Sequence, residues 1–334
     1  MSSMTKRERV FAAIRGDDVD RPPIGFWGHD FIREWSAEGL AEAMLEMVQT
    51  YDYDYLKVNP RATYYSEAWG CRYKQLNDPT QGPELEHWVL NEPSDLERIR
   101  AVDPASGALG EQLEALRLIG DGLAGDVPFV QTVFSPLSVV GRLAQDRSII
   151  RRWMAEAPNA LHGALEAITE TLAGYTKLAL DAGADGIFFP TTEWGTYDAL
   201  TDEEYELFGR AYDLRVLKAA DGADFNIFHV CRAHNMLDKL IDYPAAVINW
   251  DVHAEGNGSL AGVLAKTDRA VMGGVDIWRT LPKGTPDQVR EEVQQALRDT
   301  GGKRFLVGPG CSISPQTPPE NIHAAVEAVK AAAG

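Results

Sequence analysis

A histidine and two cysteines are the residues of this chain best suited to chemistry. His229 and Cys231 stand two apart in FNIFHVCR, and Cys311 lies far downstream in LVGPGCSI. An imidazole and two thiolates make a zinc ligand set with a fourth position open, able to bind and activate an incoming thiol. His-x-Cys alone is a weak signal, because most buried cysteines are small core residues. Cys311 in a Gly-Pro-Gly-Cys turn strengthens it. The remaining cysteine, Cys71 in EAWGCRY, has no such partner and reads as structural.

A structural zinc usually takes four protein ligands, a catalytic one three plus an open site. Glu193 in PTTEWGTY is the first candidate for a displaceable fourth ligand, and Asp251 in INWDVH the second. Each also reads as an ordinary polar loop residue or helix cap. His234 and His253 fall in the same regions and read as hydrogen-bonding or surface histidines.

These residues are useful only if the fold brings them together. Eight short β-rich runs alternate with helical stretches: Pro23–Trp27, Asp54–Val58, Val127–Val133, Asp185–Phe189, Phe225–Val230, Ala246–Trp250, Ala270–Gly273 and Arg304–Val307. Several are continuous apolar runs, as in a parallel sheet covered by helices. Amphipathic segments such as Ala157–Ala182 and Pro286–Thr300 separate them. The pattern predicts an α/β fold, a (β/α)8 TIM barrel, with a doubly wound sheet as the alternative. Long insertions, Asn59–Asp126 and Phe134–Ala184, follow the second and third strands and read as elaborations of one domain over 1–334. In such a barrel the active site lies at the C-terminal strand ends. His229 closes the fifth strand, and Cys231, two residues on, faces the same way. Cys311 follows the eighth strand after Gly308-Pro309-Gly310, where glycine lets the backbone approach a ligand.

Composition narrows the class. Of 334 residues, 45% are hydrophobic, enough for a full core. No run reaches the roughly 18 apolar residues of a membrane span, and the charged N-terminus lacks an apolar signal core. A soluble, cytoplasmic protein is expected. A net charge of −18 argues against nucleic acid and disfavours polyanionic substrates. Three scattered cysteines do not suggest a disulfide framework.

Four segments, TKRERVFAAIRGDDVDRPPIGFW, KVNPRATYYSEAWG, GGVD…LPKGTPDQVREEV and GPGCSISPQTPPENIHAAVEAVK, resemble the uroporphyrinogen decarboxylase superfamily, in order and over nearly the whole chain. The resemblance implies a single-domain (β/α)8 barrel. Uroporphyrinogen decarboxylases carry an arginine-rich segment near the first strand, where this chain has Gly25-Phe26-Trp27-Gly28-His29-Asp30. The zinc methyltransferases of the superfamily, such as the methylcobamide:coenzyme M enzymes, carry His-x-Cys and a distant Cys, matching His229, Cys231 and Cys311. That branch implies methyl transfer between a corrinoid and a thiol, with zinc favouring the thiolate. No Asp-x-His-x-x-Gly corrinoid signature is present, so the corrinoid would come on a partner protein docked over the barrel mouth. Trp27, His29, Asn59, Arg61 and Tyr64 would line the pocket, and Arg61 or Arg232 would meet an anionic tail on the thiol. A homodimer is possible, although no interface signature stands out.

Three other readings compete. One is a methyltransferase using another donor, such as an O-methyl compound, or homocysteine as acceptor. Another is a true decarboxylase, whose chemistry uses a catalytic Asp; Asp54 lies in the second strand region, although its surroundings YDYDYLKV do not closely resemble the decarboxylase segment. The last is a binding module that kept the barrel around a structural zinc.

Overall fold

The computed structural model describes residues 3–332. Its main sheet has seven parallel strands in the order β1 (Leu56–Val58), β4 (Phe129–Thr132), β5 (Gly186–Pro190), β6 (Ile227–Val230), β7 (Val247–Trp250), β8 (Ala270–Val275) and β9 (Phe305–Pro309). All are buried along their length, which explains why several read as continuous apolar runs. Helices join successive strands, and the sheet curls into a TIM-barrel-like α/β fold.

The expected first strand is not a strand. Pro23–Trp27 is an extended segment whose ends form isolated parallel bridges, Ile24 to Val307 and Gly28 to Ile313. It still lies between the two edges of the sheet: Gly25 N–H donates to the Val307 carbonyl at 3.2 Å, and Asp54 N–H to the Ile24 carbonyl at 2.8 Å. Pro22 and Pro23 have no N–H to give, so no continuous ladder starts there. The Tyr55 hydroxyl lies 3.0 Å from the Gly25 carbonyl and 2.9 Å from that of Val307.

The insertion after β1 holds something the sequence reading missed, an antiparallel hairpin of β2 (Arg72–Lys74) and β3 (Glu84–His87). Its short strands are largely exposed and give no apolar signal. The two amphipathic segments are helices, Pro158–Asp181 and Pro286–Thr300. The second starts with a capping box between Thr285 and Gln288. No helix among the described residues is long and apolar enough to cross a membrane.

At the N-terminal end of the strands, Asp54 is fully buried. Arg9 reaches one of its oxygens at 2.7 Å, Arg21 reaches both at 2.6 and 3.0 Å, and Ile24 N–H adds a bond at 2.9 Å. This network ties helix Lys6–Arg15 and the extended segment to the start of β1. It also removes the catalytic role weighed for Asp54, whose oxygens are committed at the end of the barrel opposite the mouth.

A second buried acid sits outside the barrel. Asp213 accepts hydrogen bonds from the hydroxyls of Tyr205 and Tyr243 at 2.8 and 2.9 Å. Burial outweighs both bonds and raises it from 3.8 to about 7. Between those values the folded chain holds the extra proton. The resulting contribution to stability is full below the lower value and is lost as pH rises through the upper one. Asp213→Asn should therefore gain on wild type between about pH 4 and pH 8, by something on the order of 2–4 kcal/mol. Urea unfolding of both proteins across that range measures it, and a pH-independent difference would contradict it.

Candidate metal and substrate site

Alternation along the strands decides which side chains enter the barrel. Tyr55, Ile227, Val247 and Leu306 belong to a closed apolar cluster inside it. Two residues further along their strands come Lys57, His229 and Asn249, and two further still Asn59, Cys231 and Asp251. His229 pairs in register with Asn249 on one side and Pro190 on the other. The interior thus turns from apolar to polar along the strands. Its polar end opens into a cavity of about 800 Å³, with Lys57, Asn59, His229, Cys231, Asp251 and Cys311 in its wall.

One ring nitrogen of His229 and the sulfurs of Cys231 and Cys311 all lie within 4.8 Å of one another. All three cysteines are free. His229 is 1% exposed, and neither ring nitrogen has a hydrogen-bond partner among the described residues. An unsatisfied buried polar group costs about 1–3 kcal/mol. Phe188 stacks on the ring at 5.0 Å and fixes its plane. An orphaned imidazole facing two free thiols fits a thiophilic metal, since zinc bonds of about 2.0–2.3 Å need only small side-chain rotations from this spacing. The thiols titrate as a pair. Cys311 is pushed down by the neighbouring Cys231 and by His229, against its burial, whereas Cys231 is pushed up by Cys311 and by burial.

The surroundings hold this set in place. Asn249, fully buried, donates from one amide nitrogen to the Met272 carbonyl at 3.0 Å and the Pro309 carbonyl at 3.1 Å. It thereby stitches β7 to the end of β9, two residues before Cys311. Gly310 permits the turn that follows: a Cβ there would lie 2.6 Å from the Cα of Asp251. The backbone is left-handed at Thr192, Arg232 and His234, with φ of 48°, 73° and 46°. Such unfavourable conformations gather where a site demands them. The Asn257 amide bonds the carbonyls of Arg232 and Asp251 at 2.9 and 2.8 Å, bracing two of these loops.

The other expected residues divide. Trp27, His29, Asn59, Glu193, Arg232 and Asp251 line the cavity, whereas Arg61 and Tyr64 are not among its lining residues. Arg61 is buried in ion pairs with Glu67, at 2.9 Å, and Glu111. The Tyr64 hydroxyl donates to the Thr132 carbonyl at 2.6 Å. Glu193 is bound by Arg147 at 2.6 Å. Burial pushes its carboxyl up, but Arg142 and Arg147 outweigh that and hold it below the usual range. Asp251 accepts from Trp278 Nε1 at 2.9 Å and from the His253 backbone at 3.0 Å. His29 sits 2.7 Å from the Glu34 carboxylate, and His234 3.1 Å from that of Asp198. His253 groups with Asp276 and Glu292. Cys71 lies in the core, where burial raises its thiol to about 11.

Among the lining residues that escaped the sequence reading are Lys57, Arg142 and Trp278. The Lys57 ammonium donates to Asn59 Oδ1 at 2.5 Å and stands 4.7 Å from the Phe188 ring centre and 5.8 Å from that of Trp27. Burial lowers it to about 7, opposed by negative charge at Cys311, Cys231 and Glu34. Its signal was present in YLKVNP, a charged residue in an apolar strand, two positions from Asn59.

A family model described as uroporphyrinogen decarboxylase (URO-D) matches residues 5–332. A methylcobamide:CoM methyltransferase of Methanosarcina acetivorans is 24% identical over 347 residues, covering 99% of each chain. A uroporphyrinogen decarboxylase of Salinibacter ruber is 27% identical over 346 residues, covering 96% of this chain and 95% of the relative. Among solved structures, a methyltransferase from Methanosarcina mazei superposes with a TM-score of 0.86 at 22% identity, over 99% of this chain and 100% of that one. That last likeness concerns the fold.

The geometry makes Asn249 a positioning residue. Asn249→Ala should leave the Met272 and Pro309 carbonyls without these donors and lower stability by about 1–3 kcal/mol. It should also weaken metal uptake by loosening the turn that carries Cys311. Denaturant unfolding together with a competitive zinc titration measures both effects, and undiminished metal affinity would rule out the positioning role.

Proposed function

We propose that this chain, which belongs to the uroporphyrinogen decarboxylase family, is a zinc-dependent methyltransferase that moves a methyl group between a corrinoid and a thiol. The observation that carries the reading is the buried His229 ring, without partners on either nitrogen, facing the free thiols of Cys231 and Cys311. Similarity alone does not choose the branch, because methyltransferases and decarboxylases resemble the chain at about the same level. The ligand set favours the methyltransferase, and the engagement of Asp54 by Arg9 and Arg21 tells against the decarboxylase. We read the whole chain as one (β/α)8 domain, with the extended segment Pro23–Gly28 in the place of the first strand, between β9 and β1.

Zinc at His229, Cys231 and Cys311 would act as a Lewis acid on an incoming thiol, favouring its thiolate. The chain's own groups would do the rest. Lys57 places a cation near both cysteine sulfurs and offsets part of their charge. Trp27 and Phe188 keep water from the inner side. Glu193 or Asp251 would serve as a displaceable ligand or proton acceptor, Asp251 being the one set directly against the Gly310 turn. The cavity mouth would receive the corrinoid from a partner protein; the Methanosarcina acetivorans relative is named for a methylcobamide substrate. The thiol could be homocysteine or a smaller thiol.

Purified wild type should carry about one zinc per chain, with Cys311→Ser and His229→Ala losing it while keeping their far-ultraviolet circular dichroism. Incubation with a methylated corrinoid and a series of thiols should then yield a methyl thioether only with metal-loaded protein. Equal metal content in all three proteins would sink the ligand assignment. Full metal without any thiol methylation would return the binding-module reading.

A further inference from the structure

We propose, resting on the thiol-transfer reading above, that His29 and Glu34 form a proton-transfer pair at the cavity. His29 Nε2 takes the proton of the thiol as its sulfur is seated at His229, Cys231 and Cys311, and holds it while the thiolate is bound.

His29 follows the extended segment that lies between β9 and β1. Gly28 forms a parallel bridge with Ile313, and Ile313 N–H donates to the Trp27 carbonyl at 2.9 Å. Ile313 lies two residues beyond Cys311, at most roughly 7 Å along the chain. The backbone that carries His29 is thus pinned beside the turn that carries Cys311. Trp27 belongs to the apolar cluster inside the barrel, and alternation aims His29 the same way, one step nearer the mouth. Both side chains line the cavity. His29 Nδ1 lies 2.7 Å from Glu34 Oε2. The Glu34 side chain is fully buried, and that of His29 is 18% exposed. Glu34 Oε1 is buried without a partner, so His29 is the one side-chain partner of this carboxylate among the described residues. Arg61 donates to the Glu34 carbonyl at 3.3 Å, and Glu34 N–H to the Asp30 carbonyl at 3.0 Å, which holds the acid in place. Phe31 stacks on the His29 ring at 5.0 Å and fixes its plane.

A carboxylate only accepts hydrogen bonds, so Nδ1 carries the ring hydrogen and Nε2 keeps its lone pair. Nε2 has no hydrogen-bond partner among the described residues. An imidazole that takes a proton, beside a buried carboxylate that fixes its tautomer and stabilises the imidazolium, is the arrangement of general-base catalysis on unrelated folds. The step balances: the S–H bond breaks, its electron pair stays on sulfur, and the proton bonds to Nε2 while Nδ1–H stays with Glu34. The acids that line the cavity are worse placed to receive that proton. Glu193 is paired with Arg147, and the two Asp251 oxygens accept from Trp278 Nε1 and from the His253 N–H. His29, rather than either acid, is therefore the base.

Two measurements on the full chain test the pair. The first needs neither metal nor thiol: NMR of the histidine ring nitrogens, with the His29 signals assigned by their loss in His29→Gln. Wild type should show His29 with its hydrogen on Nδ1, and Glu34→Ala should release that fixed tautomer. A hydrogen on Nε2 in wild type, or a tautomer indifferent to Glu34→Ala, would overturn the pair. The second is calorimetric titration of the zinc-loaded chain with 2-mercaptoethanol in buffers of different ionisation enthalpy, which counts the protons released on binding. His29→Gln should keep its zinc and release about one more proton per thiol bound than wild type, because wild type retains that proton on His29. His29→Asn serves in both measurements where His29→Gln does not fold. Loss of zinc from the variant would overturn the base role. If 2-mercaptoethanol binds and the proton counts are equal, only His29 fails. If no thiol binds the zinc-loaded wild type, the thiol-transfer reading falls and the base role with it.

Discussion

The parallel direction of the seven strands is the constraint on which the site depends. In a parallel sheet every strand ends on the same side, so loops from distant parts of the chain meet at one mouth. His229 and Cys231 come from the end of β6 and Cys311 from beyond β9, with two strands between them. The curl of the sheet closes that gap to less than 5 Å, and Asn249 holds the closure by bonding across β8 to the last residue of β9. An open flat sheet with the same strand order would leave β6 and β9 three strand spacings apart, roughly 14 Å.

The two ends of the barrel are built for different work. At the N-terminal end, Asp54, Arg9, Arg21 and Asp20 satisfy one another almost completely, and the arrangement joins the sheet's edges through the Pro23–Gly28 segment. At the C-terminal end, polar groups are left incomplete: both nitrogens of His229, the Tyr65 hydroxyl, the Asn59 amide and Arg142 Nε. Buried polar atoms in native proteins are normally paired, so unpaired ones that line a cavity, as those of His229 do, are free to meet a ligand.

The electrostatics follow the same division. The chain is strongly acidic, yet the cavity wall carries Lys57, Arg142 and Arg232. Lys57 is held among aromatic rings next to two thiols that carry negative charge when metal-bound, and the local field favours anionic sulfur over bulk acidity. Net charge says nothing of this small cationic interior.

Much of this was legible in the sequence because it is local. Short β-rich runs marked the seven strands, amphipathic spacing marked the helices Pro158–Asp181 and Pro286–Thr300, and His-x-Cys with a distant Gly-Pro-Gly-Cys marked the strand ends that meet. Two residues on one strand necessarily face one way, so Lys57 with Asn59 was readable too, had the lysine in an apolar run been given weight. Pairing was not readable. Arg61 and Arg142 are the same residue type, yet Glu67 and Glu111 pair the first away from the cavity while the second lines it without a salt bridge among the described residues. The failure of Pro23–Trp27 to form a ladder, the exposed hairpin β2–β3 and the burial of Asp54 at the far end were likewise decided by contacts between segments distant in the chain. Sequence determined which groups could do chemistry and the period that aims them. Tertiary structure decided which were left free to do it, because a charge or a ring nitrogen is spent or available only according to the neighbour the fold brings beside it.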